Sequence, residues 1–236
     1  MRSILITGGA SGIGAGLGRE LGSAGHHVIL GDLERHDGRP VAAEIRAGGG
    51  SAEAVVMDVT SDDSVGAALR AVSRPPEVLV NNAGLQNVAP LEEFPIAKWD
   101  YLIQVMLTGT ARVINMGSIH SLVASPFKSA YVAAKHGLLG FARTLALETA
   151  DIDITVNTIC PSYVRTPLVD AQIADQARAR GIPEAEVISR VMLEPMPKGV
   201  FIGYDELAAT VAFLVSHTAR NITGQMIVID GGWTAR

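Results

Sequence analysis

Short apolar runs alternate with amphipathic stretches along most of the chain. Residues 3–7 (SILIT) are uninterrupted and largely β-branched, the pattern of a strand buried on both faces. Similar runs predict strands over 27–32, 52–60, 77–84, 112–118, 154–160 and 224–232. Between them, apolar positions at helical spacing predict helices over 14–25, 40–47, 61–72, 96–107, 129–150 and 205–216. Ser61 reads as an N-cap, with Asp62 and Asp63 in the first turn where they complement the helix dipole. Strands that alternate with helices imply an α/β fold: one doubly wound parallel sheet with helices on both faces and right-handed crossovers. No repeat, linker or second domain interrupts residues 1–236. Residues 168–198 are polar, contain Pro183, Pro195 and Pro197, and have weak periodicity. They predict a mobile flap outside the core.

Composition narrows the function. The chain has 236 residues, 48% of them hydrophobic and 18% charged, which suits one ordered domain with a sizeable core. A net charge of −5 argues against a nucleic-acid partner, since phosphate binding needs a basic surface. No apolar run approaches the roughly 20 residues of a membrane span, and no signal-peptide pattern precedes the first strand. The single cysteine, Cys160, excludes an internal disulfide and reads as a core thiol at a strand end. These features predict a soluble, cytoplasmic protein, and no metal-ligand set is expected.

Chemistry first enters at "TGGASGIG" (7–14), between the first strand and the first helix. Gly8, Gly12 and Gly14 allow a sharp turn and close approach of a pyrophosphate. The helix N-terminus supplies N–H donors and positive potential. Thr7, Ser11 and Ile13 belong to the same turn. Asp32 ends the second strand, 18 residues after Gly14, where a carboxylate can accept from both ribose hydroxyls and repel a 2′-phosphate. No Lys or Arg lies within 9–11, so NAD is expected over NADP. Asp58, with Val59 beside it, either meets the adenine edge or caps the 61–72 helix. Asn82, Ala83 and Gly84 end the fourth strand in a turn that lets backbone pass close to the cofactor.

A reaction centre follows. Tyr131 and Lys135 stand four apart on one helix, hence on one face. A tyrosine with a pKa of about 10 is a poor base near neutrality. A neighbouring ammonium and an oxidised nicotinamide would favour the phenolate and lower that value. Ser118 lies at the C-terminal end of the fifth strand, the edge where ligands bind in open α/β sheets, and can orient the substrate oxygen.

With TGGASGIG, NNAG, Ser118, Tyr131-Val-Ala-Ala-Lys135 and "PSYVRTP" in place, the chain resembles the short-chain dehydrogenase/reductase family over its whole length. The resemblance implies a Rossmann-type sheet. It also implies that Pro161, Val164 and Thr166 meet the nicotinamide end, and that Tyr131 and Lys135 hold its ribose. Ser162 departs from the glycine usual after that proline. A narrower resemblance links "NNAGLQNVAPLEEFPIAKWD", "LVASPFKSAYVAAKHG", "CPSYVRTPLVDAQI" and "DGGWTA" to bacterial D-3-hydroxybutyrate dehydrogenases. It implies that Gln86, His120, Lys128 and Gln172 hold a small carboxylate, that Trp233 closes the pocket, and that Tyr163 stands where that subfamily has an aromatic. Asn87 replaces the histidine usual after the pocket glutamine. The expected reaction is reversible, NAD-dependent oxidation of (R)-3-hydroxybutyrate to acetoacetate, in a homotetramer. Alternatives are a sugar, polyol or acyl substrate, or an inactive dinucleotide-binding scaffold.

The crossover before the fifth strand is short against the family. After the 96–107 helix, "TGTA" could be the whole return loop. Met106 stands where the family has an asparagine. Its backbone carbonyl could still hold a relay water, and activity is expected to be retained.

Overall fold

The computed structural model describes residues 1–84, 112–125, 128–151 and 153–235. The expected 96–107 helix and "TGTA" turn, with Gln86, Asn87 and Met106, lie outside the described residues.

Seven parallel strands form one sheet: β1 (Ser3–Thr7), β2 (His27–Asp32), β3 (Ser51–Val56), β4 (Val78–Asn81), β5 (Arg112–Met116), β6 (Thr155–Pro161) and β7 (Met226–Ile229). Their spatial order is β3-β2-β1-β4-β5-β6-β7. The chain steps outward from β1 to β3, crosses back to place β4 beside β1, and then steps the other way. This creates a switch point between β1 and β4, with ligand space at the carboxyl ends of both strands. All seven predicted strands form, with β3, β4, β5 and β7 shorter than the runs that predict them.

The main helices are α1 (Gly12–Ser23), α2 (Arg39–Ala47), α3 (Asp62–Ala71), α4 (Ser129–Glu148), α5 (Pro167–Arg180) and α6 (Tyr204–Leu214). Alternation within the central strands feeds two cores. Ile4, Ile6, Val28 and Leu30 pack with Leu17 and Leu21 of α1 on one face. Leu5, Ile29 and Leu79 pack with Ala68 of α3 on the other. On that second face α4 contributes Ala142 and Ala146 against Val113 and Val156. The buried residues of α4 are mostly small, Ala130, Ala134, Ala142 and Ala146, so this helix lies close to the sheet, which brings Tyr131 and Lys135 to the end of β5.

Residues 168–198 differ from the expectation. They contain α5, which is capped by the Thr166 hydroxyl accepting from Val169 N (3.2 Å) and ended by Gly181 in the left-handed conformation. A one-turn helix (Glu184–Glu186) and a π-helical segment (Val187–Leu193) follow. Ile173, Val187 and Met192 are buried together as a small core. Weak periodicity concealed this because only a few side chains per element face inward, and the wider π turn breaks the 3.6-residue spacing.

Candidate active site

The β1–α1 turn is built for close backbone approach. Gly8 has φ +64°, which favours glycine. A Cβ on Gly14 would lie 2.2 Å from the Gly8 carbonyl oxygen, so the turn closes directly onto the first turn of α1. Thr7 is buried beneath it. Its hydroxyl accepts from Asn82 N (3.1 Å) and Ala83 N (3.0 Å), and Asn82 Nδ2 donates to the Thr7 carbonyl (2.9 Å). Thr7 and Gly14 therefore shape the turn and do not face the cavity above it.

That cavity, about 280 Å³, is lined by Gly8, Ser11, Gly12 and Ile13 on one side and by Asn82, Ala83 and Gly84 on another. Asp32, Asp58 and Val59 belong to the same lining. The Asp32 carboxylate is fixed by three donors: Ala10 N (3.0 Å), Leu33 N (2.8 Å) and His36 Nδ1 (3.2 Å). Asp58 accepts from the Thr60 amide (2.9 Å) and hydroxyl (2.7 Å), which hold its carboxyl below the usual range. Ser61 and not Asp58 caps α3, through Ser64 N (3.3 Å). Of the two alternatives left by sequence for Asp58, the structure selects the cavity wall. Arg35 also lines this cavity, within electrostatic reach of Asp58. A search confined to residues 9–11 misses it, because the basic side chain comes from the loop after β2.

A second cavity, about 140 Å³, adjoins the first: Ile13, Thr166 and Leu168 line both. Ser118, His120, Lys128, Tyr131 and Gln172 face it, with Pro161, Tyr163 and Val164 along the β6 end. Trp233 stands behind this wall, stacked on Tyr163 (6.1 Å between ring centroids) and edge-on to His120 (6.4 Å). The structure thus gathers the described residues of the expected substrate set around one space.

Ser118 leaves β5 in extended conformation and caps the short 3-10 turn Ile119–Ser121. Its hydroxyl accepts from His120 N (3.2 Å) and hydrogen-bonds to the Tyr131 phenol. Lys135 is buried, and its Nζ lies 5.7 Å from the centre of the Tyr131 ring. Burial pushes the Lys135 pKa down to about 8. The expected lowering of Tyr131 counts on an oxidised nicotinamide as well as the ammonium, and the chain's own groups do not supply it. Burial raises the phenol, and the Ser118 hydrogen bond only partly opposes that. Desolvation wins because the phenolate would sit in a poorly hydrated pocket while the ammonium is directed at the Met116 carbonyl.

His120 is pushed down to about 4, by burial first and by the Lys128 charge second. Neutral His120 explains its contacts. Nδ1 pairs with the Val123 carbonyl (3.4 Å), and Nε2 lies 3.4 Å from Lys128 Nζ, the accepting arrangement. Burial also lowers the Lys128 pKa.

One buried residue was missed by sequence reasoning. Ser121 accepts from Ser118 N (3.3 Å). The spacing S-x-x-S from Ser118 is the signal, since a capping residue and its partner three positions on satisfy each other.

A site of this construction on a doubly wound sheet defines a nicotinamide-dependent oxidoreductase. A family model described as enoyl-(acyl carrier protein) reductase, within the short-chain dehydrogenase/reductases, matches residues 8–234. The chain belongs to the short-chain dehydrogenase/reductase family. It is 41% identical to the D-beta-hydroxybutyrate dehydrogenase of Rhizobium meliloti, covering 100% of this chain and 99% of that protein. It is 38% identical to the D-beta-hydroxybutyrate dehydrogenase of Cupriavidus necator, covering 100% and 98%. Among solved structures it is similar to a variant of actinorhodin polyketide ketoreductase with NADPH, at TM-score 0.92 and 29% identity, covering 100% and 98%. The Rhizobium alignment runs over 259 positions and takes in all 236 residues here, so at least 23 aligned positions (259 less 236) have no counterpart in this chain.

Proposed function

We propose that the protein is an NAD-dependent dehydrogenase that interconverts (R)-3-hydroxybutyrate and acetoacetate. The observation that carries this reading is the second cavity. It places the Ser118–Tyr131 pair at one wall and Lys128, His120 and Gln172 around the same small space. Full-length relatives named D-beta-hydroxybutyrate dehydrogenase support it.

The residues fit a dinucleotide on their own chemistry. Ser11, Gly12 and Ile13 at the start of α1 line the larger cavity, where a helix N-terminus favours a phosphate, and Asp32 offers a fixed carboxylate on the same lining. Gly8, Ser11, Gly12 and Ile13 would hold the pyrophosphate, and Asp32 the adenosine ribose. Val164, Pro161, Thr166 and Lys135 would hold the nicotinamide half. When bound, the nicotinamide supplies the acceptor for the hydride from C3.

The chain's own groups do the rest. Lys128, with His120 and Gln172, anchors the carboxylate and sets the distance to C3. Gln86, outside the described residues, is expected to join them. Tyr163 and Trp233 exclude water. Tyr131 takes the hydroxyl proton as general base. Ser118, whose oxygen already accepts from His120 N, directs its own proton to the reacting oxygen. Lys135 supports the phenolate electrostatically and passes the proton onward. Closure of residues 168–198 over the substrate completes the site, since Gln172 lies on α5.

We further propose a cytoplasmic homotetramer. Leu147 is 80% exposed on α4 and β7 ends the sheet, so both offer apolar surface to a second copy. Among the described residues no helix is long and apolar enough to cross a membrane.

Recording NADH formation with (R)-3-hydroxybutyrate, polyols and sugars, alongside NAD binding, tests the reading. Turnover of the hydroxy acid is expected. Preference for a neutral alcohol would move the substrate to another class, and NAD binding without any turnover would mark a scaffold.

A further inference from the structure

The residues just below Ser118 form a buried polar cluster that the reaction does not consume. β5 ends its ladder at Gly117, whose amide donates to the Ile159 carbonyl (2.7 Å). The next amide, Ser118 N, has left the sheet and lies in a buried residue. A buried N–H without a partner costs free energy and relaxes by rotating its peptide. Two groups receive it. Ser121 Oγ lies 3.3 Å away, and Cys160 on β6 also takes a hydrogen bond from the Ser118 backbone. The Ser121 hydroxyl is itself hydrogen-bonded to the Cys160 thiol. Both residues are nearly inaccessible, at 1% and 0% exposure.

The cluster has no slack. A Cβ on Gly117 would lie 2.8 Å from Cys160 Sγ and 3.0 Å from Ser121 Oγ, so the sulfur and hydroxyl press against the backbone that precedes Ser118. The same sulfur lies within electrostatic reach of Tyr131 and Lys135. The Ser118 hydroxyl is thus held from two sides: by His120 N at its oxygen and by the Ser121–Cys160 pair at its amide.

We propose that Ser121 and Cys160 are positioning residues for the reaction, which together fix the Ser118 peptide so that its hydroxyl meets the reacting oxygen. Neither touches substrate or cofactor. Their contribution is orientation, and small misplacements of a positioned group are costly in rate. Because Cys160 works as a hydrogen-bond partner, an oxygen in its place should serve and a methyl group should not.

The inference rests on the hydroxybutyrate reading for its substrate, and the wild type separates the two. Absence of turnover of (R)-3-hydroxybutyrate by the wild type would sink that reading alone. With an active wild type, Cys160→Ala, Cys160→Ser and Ser121→Ala are compared in the intact protein. Cys160→Ala and Ser121→Ala should each lower kcat about tenfold, a factor typical of one lost hydrogen bond to a positioned group. KM for the hydroxy acid and Kd for NAD should stay within about twofold. Cys160→Ser should recover most of kcat, and the double alanine variant should be no worse than the poorer single one. Wild-type kcat in both alanine variants overturns the proposal. So does equal impairment of Cys160→Ser and Cys160→Ala accompanied by a matching loss of Tm, which is the result of lost packing. If Cys160→Ala fails to fold, Ser121→Ala decides by the same criteria.

Discussion

Lys135 Nζ donates to the main-chain carbonyl of Met116 at 2.7 Å, tying the middle of α4 to the last residue of β5. One hydrogen bond therefore sets the distance between the helix that carries Tyr131 and the strand that leads to Ser118. It also holds the ammonium on the sheet side of the tyrosine ring, where it can act on the phenol without leaving the interior.

Tyr131→Phe removes the proton acceptor and keeps the ring that packs edge-on to His120, 6.0 Å away. Loss of general-base catalysis is expected to lower kcat by about 10²–10⁴. NAD affinity, set mainly in the adjoining cavity, should be nearly unchanged. Steady-state NADH formation and a cofactor titration check both halves, and near-normal turnover would contradict the assignment.

Asp32→Ser removes the fixed carboxylate from the lining of the larger cavity while Arg35 stays in that lining. Loss of charged hydrogen bonds to the ribose should weaken NAD about 10–100-fold. NADP, freed from repulsion, should gain relative to NAD. The ratio of kcat/KM for the two cofactors measures this directly.

Gly14→Ala places a methyl group 2.2 Å from the Gly8 oxygen, against backbone that cannot swing away. Overpacking of this kind costs about 1–3 kcal/mol. For a domain of this size that lowers Tm by about 2–4 °C per kcal/mol. Cofactor affinity should fall with it, since the same turn faces the cavity. Thermal unfolding with and without NAD separates the two effects.

His120 titrates near 4 in the folded chain, below its ordinary value of 6.5. Between pH 6.5 and about 4 the unfolded chain binds the extra proton, so stability falls as pH drops through that window. His26, lowered by burial, the N-terminus and Arg2, acts in the same direction. His120→Gln should shrink the loss in urea midpoint between about pH 7 and about pH 5, leaving the His26 share. An unchanged loss would place the effect elsewhere.

Much of the fold was legible because its period is strong. The seven strand runs are nearly continuous apolar segments, as a sheet covered on both faces requires. α4 is legible for the same reason and places Tyr131 and Lys135 on one face. The region after Thr166 was not legible: Ile173, Val187 and Met192 form a core too small and too irregularly spaced to leave a periodic trace.

The sequence by itself determined the class of fold, the glycine turn, and the three residues expected to perform the chemistry, because each is local or set by a short spacing. Only the tertiary structure decided that Asp58 lines a cavity, that Arg35 joins the same lining, and that burial raises the Tyr131 phenol. It alone brought Cys160, from a different strand, under the Ser118 peptide. These outcomes depend on which side chains share a dehydrated space, and that is fixed by how strands and helices stack, not by their order along the chain.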